Sequence, residues 1–224
     1  MKNDWIWLSH VTSNETPAYG GGSAFETTPK KQICCGDSCN TVEITMSNHI
    51  GSHVDAPRHF ITNAKTVSEY SPSDWCFENP ILIDLDPEFN QIIEPVDVEM
   101  AIPDSIDDAD LVLLRSREYA DRNSPEFYKT QAGFSPKLHG YFLNRFNSFS
   151  AIGLNAISIS SFMHREVGRS AHKEFLGNNI RIFEDLALFN IPSNASLEKV
   201  IALPFRYRDA DGSPVTVLGN ISYH

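Results

Sequence analysis

From His49 to His59 the chain reads His-Ile-Gly-Ser-His-Val-Asp-Ala-Pro-Arg-His, so three imidazoles and one carboxylate fall in a stretch broken by Gly51 and Pro57. Imidazole nitrogen and carboxylate oxygen suit zinc, manganese or iron. A site with two or three such ligands and an open position turns water into hydroxide near neutral pH. A lone histidine is ordinarily a surface or hydrogen-bonded core residue, but four ligand-type side chains at this spacing point to metal binding, and hydrolysis is the leading expectation.

The elements that position these groups follow from the spacing. His49, His53, Asp55 and His59 all carry odd numbers, so a strand would place them on one face. A straight strand fails, because at roughly 3.3 Å per residue His49 and His53 would stand about 13 Å apart, whereas each ligand must reach its ion at about 2.0 to 2.2 Å. The chain must curl. Gly51 can adopt backbone angles closed to other residues, and Pro57 fixes its own φ and lacks a donor, so both favour a folded loop. The expected arrangement is a metal-gripping loop after a strand over 41–47, in which Val42, Ile44 and Met46 alternate with polar residues.

The same stretch resembles the His-x-Gly-Thr-His-x-Asp-x-Pro-x-His signature of the cyclase family of metal-dependent hydrolases, of kynurenine formamidase and isatin hydrolase type, with Ser52 in place of Thr. Trp7-Leu-Ser-His10, Thr16-Pro-Ala-Tyr19, Leu111-Val-Leu-Leu-Arg115, Phe134-Ser-Pro136, Ile201-Ala-Leu-Pro204 and Asp211-Gly-Ser-Pro214 extend the resemblance along nearly the whole length. It implies that His49, His53 and Asp55 are ligands, with Asp55 able to bridge a second ion held by His172 and Glu184 late in the chain. It also implies that His59 transfers protons and that Tyr19 forms a substrate-binding pocket wall. Five candidate ligands exceed what one catalytic zinc normally takes, so one or two Zn2+ ions, or a single six-coordinate Mn2+, are the expected cofactors.

The chain departs from the family pattern near these late ligands. Asn155 and Ser160 stand where relatives usually carry aspartates, and neutral groups there would weaken the hydrogen bonds that fix imidazole tautomers. Tyr19-Gly-Gly-Gly22 replaces an aromatic followed by Pro-Gly-Asp, which predicts a more flexible loop.

Composition is that of a chain able to bury a full core: 224 residues, 41% hydrophobic and 21% charged, without repeats or linkers, expected to form one domain over residues 1–224. A net charge of −11 argues against nucleic acid and disfavours anionic membranes. The first residues lack the apolar core of a secretory signal, and no segment approaches a membrane span, so a cytoplasmic location is expected. The partner expected is a small-molecule substrate, and the resemblance implies a homodimer or homotetramer. Cys34, Cys35 and Cys39 form no recognised zinc spacing and read, with the isolated Cys76, as free thiols. His10, His139, His164 and His224 are expected to be structural or exposed.

Apolar runs at 81–85, 111–115, 151–154, 157–159 and 200–203 predict buried strands. Ser135 followed by Pro136 predicts a helix start, and 165–176 a helix carrying His172 and ended by Gly177. Strands interleaved with helices give an α/β class. The resemblance implies a swivelling β/α/β domain with a barrel-like mixed sheet. The expected reaction is hydrolysis of an amide-type C–N bond, in an N-formyl arylamine or a cyclic amide, by metal-bound hydroxide. A metal-dependent cyclase or lyase, a lactone hydrolase, and a metal-binding protein without turnover are the alternatives.

Overall fold

A computed structural model describes residues 3–21, 24–103, 105–117, 120–124 and 126–223, so Gly22 and His224 lie outside the described residues. In chain order the strands are β1 (Asn3–Trp7), β2 (Phe25–Lys31), β3 (Thr41–Met46), β4 (His53–Asp55), β5 (Cys76–Phe77), β6 (Pro80–Leu85), β7 (Ile92–Ile93), β8 (Leu111–Ser116), β9 (Gly133–Phe134), β10 (Ala151–Leu154), β11 (Arg181–Glu184), β12 (Ala195–Pro204) and β13 (Gly212–Tyr223). The helices are α1 (Pro95–Glu99), α2 (Phe127–Thr130), α3 (Lys137–Arg145) and α4 (Arg165–Gly177).

One mixed sheet runs β5-β12-β13-β4-β11-β10-β8-β6, with β1 added on β13. The strands from β11 to β6 are parallel, whereas β4 runs antiparallel to both of its neighbours, β11 and β13. Its far edges approach where β12 lies beside β6, giving the nearly closed, barrel-like α/β architecture expected.

Strand alternation divides the apolar residues between two cores. Leu111, Leu113, Val54 and Phe183 point inward and pack with Trp75, Phe77 and Val217. Val112, Leu114, Ile152, Leu154 and Ile182 point outward and are covered by Leu138 and Phe142 of α3 and by Ala171, Phe175 and Leu176 of α4. Parallel strands buried on both faces read as continuous hydrophobic runs, which is why 81–85, 111–115 and 151–154 were legible.

Three expectations need correction, and the strand expected over 41–47, present as β3, stands outside the main sheet. Residues 157–159 form no strand: their backbone donors go to side chains, Ile157 N to Gln131 Oε1 at 2.7 Å and Ile159 N to Glu184 Oε1 at 2.6 Å. The helix after Ser135 starts at Lys137, with Pro136 as its cap and Ser135 Oγ accepting from Lys137 N. α4 includes Gly177, and the left-handed residue after it is Asn179, at φ +63°. The strand before the histidine stretch pairs only with β2, outside the main sheet, leaving Val42, Ile44 and Met46 exposed.

Candidate metal centre

The curl the spacing demands is a turn rather than one long loop. The backbone folds at Gly51, whose φ of +62° is left-handed, and then enters the main sheet as β4. His53 and Asp55 therefore sit on a buried central strand, with Val54 turned to the barrel interior between them. On β11, Glu184 pairs with His53 and Ile182 with Asp55. Directly paired residues share a face, so Glu184 emerges beside His53 and Asp55 on the side that α4 covers. α4 brings His172 down onto them.

These four side chains form a ring in which nitrogen and oxygen alternate. His53 Nε2 lies 3.5 Å from Asp55 Oδ1 and 3.3 Å from Glu184 Oε2, and His172 Nε2 lies 3.4 Å from Asp55 Oδ2 and 3.5 Å from Glu184 Oε1. All four are at most 4% exposed. The spacings exceed ordinary hydrogen bonds, and Asp55 Oδ2 has no hydrogen-bond partner. Ligands at 2.0 to 2.2 Å from a tetrahedral ion stand about 3.3 to 3.6 Å apart, so the spacing fits a shared cation.

Both imidazoles are oriented for that purpose. His53 Nδ1 donates to the Gly51 carbonyl at 2.8 Å, and His172 Nδ1 donates to the Gly168 carbonyl at 2.9 Å. A carbonyl only accepts, so each Nδ1 carries a proton and each Nε2 is the atom turned to the carboxylates, open to a cation once its own proton is displaced. Glu184 is fixed by Ile159 N and by Ser158 Oγ at 3.2 Å. Phe60 stacks on the His172 ring at 4.4 Å.

Without a cation, the cluster shares protons. Burial lowers the His53 and His172 pKa values, but the Glu184 and Asp55 carboxylates beside them outweigh it and raise them to about 9 and about 10. Burial pushes the Asp55 and Glu184 carboxyls up, yet the neighbouring imidazoles hold both below their ordinary values.

A second group shares Asp55. His49 Nδ1 lies 2.8 Å from Asp55 Oδ1, and His49, Asp55 and His59 place ligand-type atoms within 4.8 Å of one another. His53, Asp55 and Glu184 do the same. The partition thus differs from the expected one, since His53 stands with Glu184 and His172 while His49 stands with His59.

Asp211, to which the sequence reading gave no role, joins this second group. Its Oδ2 lies 3.0 Å from His59 Nδ1 and 3.1 Å from His49 Nε2, and its Oδ1 accepts from Asn48 Nδ2 at 2.7 Å. The signal in the sequence was the Asp211-Gly-Ser-Pro214 stretch of the resemblance, which carries no role for Asp211 by itself, because Asp211 reaches the site through the pairing of Gly212 with Asp55 on β4. A Cβ at Gly212 would lie 2.2 Å from His49 Cε1, so glycine there admits the His49 ring.

A cavity of about 310 Å³ opens onto the cluster, lined by Tyr19, His59, Phe60, Ile157, Arg165 and Arg169 as well as the ligand-type residues. Ser160 lines it too, 3.4 Å from His172 Nδ1. Asn155 instead braces β10 to β8, accepting from Ser116 N and donating to Ser116 O. Cys34, Cys35, Cys39 and Cys76 are exposed free thiols. His10 is half-buried and His164 exposed, and neither they nor His139 line this cavity. No helix among the described residues is long and apolar enough to cross a membrane.

A profile of the Cyclase family, described as "Putative cyclase", matches residues 6–161, and the chain belongs to that family. It is 27% identical over 219 residues to the kynurenine formamidase of Bacillus cereus, covering 95% of each chain. Its fold is similar to an isatin hydrolase crystallised with the product analogue thioisatinate, with a TM-score of 0.79, 17% identity and coverage of 99% and 93% of the two chains. A protein described as a potential metal-dependent hydrolase with cyclase activity gives a TM-score of 0.73 at 18% identity, covering 98% of each chain. The chain is an enzyme of the hydrolase class, similar to arylformamidases.

Proposed function

We propose that residues 1–224 act as a single metal-dependent hydrolase domain cleaving an amide-type C–N bond in an N-formyl arylamine or a cyclic amide. The ring of His53, Asp55, His172 and Glu184 carries this reading: its N···O spacings of 3.3 to 3.5 Å suit cation ligands, and its Nε2 atoms face inward. His49, beside Asp55, would complete the expected ligand set, with Asp55 common to both groups of ligand-type side chains. When bound, zinc or manganese supplies water activated near neutral pH and polarisation of the scissile carbonyl.

The remaining steps fall to the chain's own side chains. Asp211 accepts the Nδ1 proton of His59, which leaves Nε2 free to take a proton from the attacking water and return it to the leaving amine. Tyr19 and Phe60 flank the cavity as apolar walls for an aryl group. The exposed apolar face of Val42, Ile44 and Met46 supports the homodimer or homotetramer expected.

The test is metal analysis together with product identification from a panel of formanilides, lactams and lactones, with zinc or manganese supplied. Stoichiometric metal uptake and release of formate and arylamine, or of a ring-opened amide, are expected. A protein that takes up no transition metal, or hydrolyses only lactones, would contradict the proposal.

A further inference from the structure

The cavity wall carries two arginines on the first turns of α4, Arg165 and Arg169, in a chain whose net charge is −11. Arg169 pairs with Glu166, three residues away. Arg165 has no carboxylate within ion-pair distance among the described residues. Its guanidinium lies instead 4.1 Å from the Phe162 ring centre. Phe162 packs edge-on against Tyr19 at 6.2 Å and Tyr128 at 4.9 Å, so Arg165 rests on an aromatic shelf continuous with the cavity wall. Stacking occupies the face of a guanidinium and leaves its in-plane N–H donors available for two parallel bonds to a carboxylate. A divalent cation at the inner end would balance Asp55 and Glu184, and Glu166 balances Arg169. Among the described residues, Arg165 is then the arginine of the wall with no carboxylate at ion-pair distance.

We propose that Arg165 is a specificity-determining residue that receives a carboxylate borne by the aryl part of the substrate, so that the enzyme prefers anionic aryl amides over neutral ones. The inference rests on the amide-hydrolase reading and adds an orientation to it: the scissile amide faces the imidazole–carboxylate ring while the substrate carboxylate faces α4.

The test compares zinc-loaded enzyme on formanilides bearing a carboxylate, on the ring or on a short side arm, with their neutral carboxamide counterparts. Loss of a charge-assisted bidentate contact should lower kcat/KM for the best carboxylate in Arg165→Gln by about 10- to 100-fold, mainly through KM, and leave the carboxamide within about threefold. Arg165→Lys should retain part of the preference, and salt should erode it in the wild type. Binding of the carboxylated arylamine product, followed by its fluorescence, should weaken in Arg165→Gln in parallel. Equal kcat/KM for the two series in the wild type, or equal losses on both in Arg165→Gln, would overturn the inference alone. Turnover of neither series would overturn the amide-hydrolase reading beneath it.

Discussion

The Gly168 carbonyl accepts the Nδ1 proton of His172 from one helical turn away, and Gly168 also packs against Ser160. A Cβ at Gly168 would meet Ser160 Oγ, Cβ and Cα at 1.9, 2.3 and 2.5 Å, so turning the hydroxyl away does not clear it. Gly168→Ala should therefore shift α4 or the Ser160 loop, costing about 1 to 3 kcal/mol by overpacking. It should weaken metal binding as well, because His172 loses its anchor. Thermal melting with and without zinc checks both effects, and a variant with unchanged melting and affinity would contradict the packing argument.

His53→Ala and Asp55→Ala are expected to abolish metal content and turnover together, since each removes a corner of the ring. His59→Ala should retain metal and lose activity by about 10²- to 10⁴-fold, the range for a positioned acid–base group. Metal analysis beside steady-state kinetics separates the two outcomes. Loss of metal from His59→Ala would make His59 a ligand instead.

Asp211→Asn should leave the metal in place yet lower kcat, because an amide oxygen turned to His49 and His59 sets its NH2 against the Asn48 Nδ2 donor and removes the negative charge beside the two imidazoles. The pH–rate profile should shift as the His59 tautomer loses its anchor, a change that purely structural damage would not produce. Gly212→Ala should be more damaging, since the added methyl meets the His49 ring.

In the metal-free protein, His53 and His172 titrate at about 9 and about 10, against roughly 6.5 when unfolded. The native state then holds more protons than the unfolded chain between these values, so stability falls as pH rises through the window. Asp55 and Glu184 are shifted down, so acid below the ordinary carboxylate range also destabilises. Metal-free protein should melt higher at pH 6 than at pH 10. Metal affinity should follow the opposite trend, because cations displace those protons. A flat melting profile without metal would contradict the proton sharing.

Much of this was legible in the residues themselves. The His49–His59 spacing demanded a bend, and Gly51 supplies it. The parallel strands announced themselves as apolar runs because both of their faces are covered. What escaped was set by long-range pairing: β4 reads as loop because three residues carry no periodicity, and their strand character comes from β11 and β13 on either side. The role of Asp211 was hidden for the same reason, since the register of Gly212 against Asp55 is what delivers it to His59. Residues 157–159 looked like a strand because burial favours the same side chains whether the backbone pairs with a neighbour or with Glu184 and Gln131.

The position of β4 between β11 and β13 has a consequence for assembly. Apart from Asp55 on β4 itself, the members of the ring around His53 come from sequence more than a hundred residues downstream, His172 on α4 and Glu184 on β11, so a nascent chain cannot finish the cage until its last third has docked. Metal capture should accordingly report on completed folding rather than guide its early steps, and circular permutants that bring the downstream strands to the front should acquire the ion sooner.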